Sequence, residues 1–168
     1  VYRLFANNGI LKDLSVLSTA GPTRESIDPV RFISNHSSGK MGFAIAAAAR
    51  RAGANVTMIS GPVDQKTPMG SERINVESAS EMYDAVMTQI ATTDIFIAVA
   101  AVSDYRPIKT ARQKMKKHRE TLAIELERTQ DVLGSVTALE NRPFCVGFAA
   151  ETDDVLAIGY DTPVPGFR

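Results

Sequence analysis

The chain has 168 residues, 44% of them apolar and 23% charged, the balance of a globular protein with one sizeable core. Nineteen basic residues cancel nineteen acidic ones, so nothing general favours nucleic acid or a membrane surface, although a local positive cradle for a small anion remains open. The single cysteine, Cys145, excludes an internal disulfide framework and a cysteine zinc site, and with no long apolar segment or signal peptide the expected location is cytoplasmic.

Residues 1–13 read as a linker or N-terminal arm, and residues 14–168 as one domain. Leu14 to Thr19 predicts a short strand, stopped by Ala20-Gly21-Pro22-Thr23. Gly39 to Ala52 predicts an alanine-rich helix, closed by Gly53, with Arg50 and Arg51 suited to its negative end. Asn55 to Ser60 is a second strand. Ser80 to Thr92 carries Met82, Ala85, Val86 and Ile90 at helical spacing, with Ser80 the expected N-cap. The continuous apolar run Ile95 to Ala100 predicts a strand buried on both faces. Beyond Tyr105 the texture turns polar and basic, with Lys109, Arg112, Lys114, Lys116, Lys117 and Arg119. With the alternating Thr121 to Glu127, this reads as a hairpin or flap beside the sheet. Asp131 to Leu139 is a further helix and Phe144 to Phe148 another buried strand, with Cys145 a structural thiol. Strands alternating with helices imply a doubly wound, mostly parallel α/β fold of Rossmann-like type.

Such sheets bind ligands outside the carboxyl ends of their strands, where three stretches converge: Ala20 to Gly42, Ala100 to Tyr105 and Gly147 to Thr152. Ser37-Ser38-Gly39-Lys40-Met41-Gly42 opens a helix, so free N–H groups and a positive dipole end can receive an anion there. An ordinary N-cap by Ser37 or Ser38 explains the segment equally well. It is not a P-loop, because Ser34 stands where the first glycine is needed and Met41 where Ser or Thr is needed. Nor is it a dinucleotide fingerprint: Gly21 is separated from Gly39 by a long loop, and the second strand ends in Ser60-Gly61-Pro62 without a ribose-binding acid. A nicotinamide-dependent oxidoreductase is thereby disfavoured. The loop from Thr23 to His36 is too long to be idle in a compact domain. Arg31 can present a fork to a phosphate or carboxylate, and Asn35 can donate to an oxyanion without changing charge. A surface arginine, a turn asparagine and a solvated loop histidine at His36 are the plainer alternatives.

At this loop the chain resembles the phosphopantothenoylcysteine synthetases. The resemblance rests on Gly21-Pro22-Thr23-Arg24-Glu25, the run Asp28 to Gly42, Ala100 to Tyr105, Lys114-Met115-Lys116-Lys117 and Gly147 to Thr152, in that order, over about Leu11 to Thr152. It implies a ligase that joins 4'-phosphopantothenate to cysteine in coenzyme A biosynthesis through an acyl-cytidylate, converting CTP to CMP and pyrophosphate. It further implies Lys114 on the triphosphate, Asp104 on Mg²⁺ or the nucleotide, and Asn35 orienting the acyl-cytidylate. Ala100 and Ala101 would present backbone groups to the base or intermediate. Ser37, Gly39, Gly42 and Phe148 would line the phosphate cradle, and Gly21 would also contact the nucleotide. Arg31 would reach the substrate phosphate across a homodimer interface, and a flavin-dependent decarboxylase would be fused to the domain.

The match breaks after Thr152. Asp153-Asp154-Val155-Leu156 begins the expected helix, but Ala157 to Arg168 arrives too soon, as though part of the C-terminal region were absent. Gln130 stands where proline is common, and Asp131 is a weaker nucleotide contact. A nucleotide-binding or regulatory module of the same fold, without catalysis, is the rival reading.

Overall fold

The computed structural model describes residues 9–116 and 120–148. In chain order its strands are β1 (Ser15–Ala20), β2 (Arg24–Ser26), β3 (Phe32–Ser34), β4 (Asn55–Ser60), β5 (Glu72–Asn75), β6 (Ile95–Ala98), β7 (Tyr105–Pro107), β8 (Leu126–Arg128) and β9 (Phe144–Gly147). The helices are α1 (Lys40–Arg51), α2 (Ala79–Gln89), extended by a 3-10 turn over Ile90–Thr92, and α3 (Val132–Thr137). Five strands form one parallel sheet in the order β5-β4-β1-β6-β9. The chain leaves β1 outward to β4 and β5, then returns to build β6 and β9 on the other side. The fold is therefore doubly wound and Rossmann-like, as the alternation predicted, with its switch point between β1 and β6.

Register decides which side chains meet. Val16 lies opposite Val56 and Ile95, while Leu17 lies opposite Phe96, and Phe96 opposite Cys145. Because side chains alternate along a strand, these rows split between two faces. Val16, Ala20, Val56 and Met58 pack beneath Phe43, Ala46 and Ala49 of α1. On the other face Leu17, Ile59 and Phe96 pack with Met82, Val86 and Ile90, and with Val132 and Val136 of α3. Small side chains let α1 lie close to the sheet. A Cβ on Gly42 would stand 2.6 Å from the Ala20 Cβ.

Several boundaries differ from those the pattern suggested. Helix α2 is capped by Ser78, not Ser80: the Ser78 hydroxyl accepts from Glu81 N (3.2 Å), and the Glu81 carboxylate accepts from Glu77 N (2.7 Å). This Ser-x-x-Glu capping arrangement outcompetes Ser80, which lies within the helix. Strand β9 is an edge strand, and Phe144 is 63% exposed, so the apolar run there is not buried throughout. The Ile95 strand ends at Ala98, since β6 parts from β1 beyond it. Strand β5 went unread because Glu72-Arg73-Ile74-Asn75 lacks an apolar run. The long loop holds a hairpin of its own, β2–β3, and the basic flap is closed by the antiparallel pair β7–β8 with Arg106 facing Glu127.

Leu11 N donates to Ala52 O at 2.9 Å, and Leu11 packs on the α1 face of the core. Residues 1–8, residues 117–119 of the basic flap with Lys117 and Arg119, and residues 149–168, with Ala149 to Thr152 of the last matching block and the expected helix after it, lie outside the described residues. Among the described residues no helix is long and apolar enough to cross a membrane.

Candidate functional site

The crevice at the switch point is opened by the parting of β1 and β6. Past Ala98 the ladder ends, and the freed N–H groups of Val99 and Ala100 both donate to the buried hydroxyl of Thr19, at 3.1 and 3.2 Å. The two backbones then meet again: Ala101 N donates to Gly21 O (2.9 Å) and Thr23 N to Ala101 O (3.3 Å). Thr23 Oγ1 accepts from Ser103 N at 2.9 Å. Two buried threonines thus satisfy backbone groups that the ladder releases, as burial demands. Ala100 and Ala101 are held in place without bulky side chains at the rim.

The glycines gather beside them. Gly39, the residue before α1, has φ +72°, and Gly21 has φ +75°, conformations that side chains with a Cβ rarely adopt. A Cβ on Gly39 would lie 3.5 Å from the Gly21 Cα and 3.1 Å from Val63, so the two glycine backbones abut beneath one valine. Helix α1 carries no side-chain cap, which decides against the ordinary N-cap by Ser37 or Ser38. Ser37 Oγ instead accepts from Gly39 N at 3.3 Å. The first-turn N–H groups of α1 therefore keep their donors and the positive dipole end for an outside acceptor.

Asn35 leans across to the other strand end. Its Nδ2 donates to Val102 O at 3.0 Å and approaches Ala101 O at 3.5 Å. The amide nitrogen is thus tied to the β6 extension, which fixes the direction of the side chain. The amide oxygen takes no hydrogen bond among the described residues and faces the exposed rim as an acceptor.

Arg31 and Lys114 belong to a second arrangement. Asp28 is fully buried, and its carboxylate accepts from Val30 N and Arg31 N (2.9 Å each), Arg31 Nε (3.0 Å), Arg31 Nη2 (2.5 Å) and Met115 N (3.1 Å). The Arg31 guanidinium, aided by the backbone donors and opposed by burial, holds the Asp28 carboxyl well below the usual carboxylate range. Arg31 Nη2 also donates to Met115 O at 3.0 Å. Two more bonds, Thr110 Oγ1 to Ser26 O (3.0 Å) and Ala111 N to Ile27 O (2.9 Å), run the basic strap along the hairpin loop. Lys114 is exposed, one residue from the Met115 anchor.

Asp104, exposed at the start of β7, accepts Thr129 N on its backbone oxygen at 2.9 Å. Phe148 follows β9, its N–H donating to Ala98 O at 3.0 Å and its ring half exposed. Asp131 caps α3 through Gly134 N at 2.8 Å, which accounts for that residue structurally. Cys145 is buried in the core; burial pushes its thiol up, with the Arg142 charge opposing. No cluster of three or more metal-binding side chains occurs among the described residues. A cleft of about 420 Å³ opens beyond Val63, where Arg24 pairs with Glu77 at 3.7 Å and Arg73 lies over the Phe43 ring. Gly21, Gly39, Ala101 and Asn35 thus meet at one rim, with Gly42 buried beneath it against Ala20 rather than lining it, and Arg31 and the Lys114 segment meet at another. Thr19, Thr23, Glu25 and Asp28 were given no site role in the sequence analysis: Thr19 stands in a strand, Thr23 just beyond its end, Glu25 in the polar segment Arg24–Ser26 and Asp28 in the loop after it, and their partners are distant in the chain. Glu25, buried, accepts from Ala79 N at 2.9 Å and so docks the hairpin onto the start of α2.

A parallel doubly wound sheet with a glycine-lined helix N-terminus at its switch point places the chain in the Rossmann-like class of α/β domains. The chain belongs to the DNA/pantothenate metabolism flavoprotein C-terminal domain family, whose model matches residues 11–161, and the resemblance to phosphopantothenoylcysteine synthetases holds. It is 60% identical over 148 residues to a coenzyme A biosynthesis bifunctional protein CoaBC of Vibrio vulnificus, covering 86% of this chain and 37% of that protein. To the Escherichia coli K12 protein of the same name it is 53% identical over 149 residues, again with 86% and 37% covered. The chain therefore spans well under half the length of these relatives. Among solved structures it is similar to the C-terminal domain of a CoaBC protein, with a TM-score of 0.80 and 42% identity over 91% of this chain and 72% of that one. A Cab2 variant in complex with phosphopantothenate-cysteine shares the fold at 17% identity, with a TM-score of 0.65 over 81% of this chain and 63% of that one.

Proposed function

We propose that the chain is a ligase domain of coenzyme A biosynthesis, joining 4'-phosphopantothenate to cysteine at the expense of CTP. The observation that carries this reading is the meeting of Gly21 and Gly39 with Ala101 and Asn35 at the switch point, over a Gly42 that lets α1 lie close on β1. There an uncapped helix N-terminus faces a rim of small residues. Family membership and the similarity to CoaBC proteins support a place in coenzyme A biosynthesis.

Two steps follow. A substrate carboxylate oxygen bonds to the α-phosphorus of CTP and pyrophosphate leaves, giving an acyl-cytidylate. The cysteine amine then bonds to the acyl carbon, CMP leaves with the C–O electron pair, and the amine loses a proton. Activation is needed because a carboxylate resists nucleophiles. In the first step the α1 N-terminus and Ser37 receive phosphate oxygens, and Lys114 offsets charge as pyrophosphate departs. In the second step Asn35, fixed to Val102 O, orients the acyl group, and its exposed amide oxygen is placed to accept from the incoming amine.

Magnesium carried by the nucleotide would neutralise phosphate charge. Asp104 fits a single carboxylate contact to such an ion, since Mg²⁺ keeps most of its shell as water and phosphate oxygen rather than a protein cage. The reading includes a homodimer with shared sites, Arg31 serving the neighbouring protomer. Exposed Val30, Phe32, Tyr105, Ile108 and Leu126 on the two hairpin regions supply apolar surface for it. It also includes a flavin-dependent decarboxylase elsewhere in the same polypeptide and a cytoplasmic setting. The test is pyrophosphate release with CTP, Mg²⁺ and 4'-phosphopantothenate, for wild type and Lys114→Ala. Release strongly slowed, though still measurable, is expected in the variant; CTP binding without any release from the wild type would leave the non-catalytic module instead.

A further inference from the structure

The strap that carries Lys114 has few means of holding a fixed position. Its residues Lys109 to Lys116 form no strand or helix, and Lys109, Arg112, Gln113, Lys114 and Lys116 are exposed. What fixes it is the loop between β2 and β3. Of the four bonds that join the two segments, two end on the Met115 peptide: Met115 N donates to Asp28 Oδ2, and Met115 O accepts from Arg31 Nη2. Both depend on Asp28, because the same carboxylate oxygen that takes the Met115 N–H also takes Nε and Nη2 of Arg31. Asp28 is held in turn by the turn N–H groups of Val30 and Arg31, and it has no exposed side-chain surface. A buried carboxylate that gathers five donors, three of them backbone and one from a distant segment, is a rigid fixture, since charge-assisted bonds are short and strong and leaving such donors unmet is costly.

We infer that Asp28 is a positioning residue: through Met115 it sets where Lys114 stands, and through the same oxygen it sets the direction of Arg31. This rests on the ligase reading for the role of Lys114, and not for the contact itself. The carboxylate does not reach substrate. It makes one unit of two cationic side chains that the sequence separates by most of the fold, so that both are pre-placed before the phosphates arrive.

The test uses the full chain and two readouts. Hydrogen exchange without ligands is compared for wild type and Asp28→Asn, in which the amide NH2 must face either the Val30 and Arg31 backbone N–H groups or the Arg31 side chain and Met115 N–H, so that the fixture loses acceptors either way. Faster exchange across residues 110–116, with the central sheet unchanged, is expected; unchanged exchange there overturns the inference. Pyrophosphate release is then measured in a cycle of Asp28→Asn and Lys114→Ala. Asp28→Asn is expected to slow release about 100-fold in the wild-type background, the scale of a misplacement of about 1 Å. Most of that factor should vanish in the Lys114→Ala background. An equal loss in both backgrounds means that Asp28 acts independently of Lys114 and refutes the positioning role. If Asp28→Asn does not fold, Met115→Pro removes the same bond from the strap side, and the same two outcomes decide. A wild-type chain that releases no pyrophosphate defeats the ligase reading, while the exchange comparison still decides whether Asp28 fixes the strap.

Discussion

Gly42→Ala puts the geometry beneath the cradle to a quantitative test. In an unconstrained helix this change stabilises, because alanine exceeds glycine by about 1 kcal/mol in helix propensity. Here the new Cβ would stand 2.6 Å from the Ala20 Cβ and 3.2 Å from both the Ala20 Cα and Thr19 O. Carbon atoms in contact prefer about 3.5–4.0 Å, so α1 must retreat from β1 by about 1 Å. None of the opposing atoms lies on a flexible side chain, so the helix has to move as a body, drawing Phe43 and Ala46 from the core. Overpacking costs about 1–3 kcal/mol, and three rigid opposing atoms put this site in the upper part of that range, about 2–3 kcal/mol, above the propensity gain. The expected net loss is about 1–2 kcal/mol, read as a lower urea midpoint at unchanged slope. Nucleotide affinity should fall with it, because the retreat carries the α1 N-terminus away from Gly21. Adding Ala20→Gly makes room for the new methyl, so the double variant should be more stable than the sum of the single changes by about 1 kcal/mol. A Gly42→Ala protein as stable as wild type, or a strictly additive double variant, would refute the close-approach argument.

Four other outcomes follow from the same structure. Thr19→Val leaves the N–H groups of Val99 and Ala100 without their acceptor; a loss of about 1–3 kcal/mol in urea unfolding is expected, together with weaker CTP binding at the displaced Ala100–Ala101 rim. Phe96→Ala, at a fully buried position in the register between Leu17 and Cys145, should cost about 3–5 kcal/mol by the same assay. Asp28 has a lowered folded-state pKa, so its contribution is complete above the ordinary carboxylate value near 4 and is lost as pH falls from there through the folded value. Thermal midpoints between pH 6 and pH 2 should accordingly drop more steeply for wild type than for Asp28→Asn. The Cys145 thiol, buried and with its pKa raised, should react with a thiol reagent at pH 8 far more slowly in the native protein than in urea.

Much of the architecture is legible in the chain because local patterning and tertiary demand agree there. Asn55 to Ser60 is β-rich and bounded by glycine on both sides, and the alanine run from Ala44 to Ala49 has few alternatives to a helix packed closely on a sheet. Strand β5 was missed because a short, polar strand owes its existence to pairing with β4 rather than to its own residues. Phe144 was read as buried because periodicity reports apolarity, and not whether a neighbouring strand covers it. Ser80 lost its capping role to Ser78 for a similar reason. Two serines compete, and Glu81 with the buried Glu25 decides between them.

The site divides along the same line. Residue order alone determined the family, the candidate glycines, Asn35, Arg31 and Lys114, because these residues lie in contiguous blocks whose spacing survives without knowledge of the fold. Tertiary structure alone decided that Gly21 and Gly39 abut, that Asn35 spends its amide nitrogen on Val102, and that Arg31 is tied to Asp28 and to the Met115 peptide. The physical reason is that hydrogen-bond partners distant in the chain leave no local signature. A buried carboxylate such as Asp28 reads as a turn residue until folding brings the strap across it.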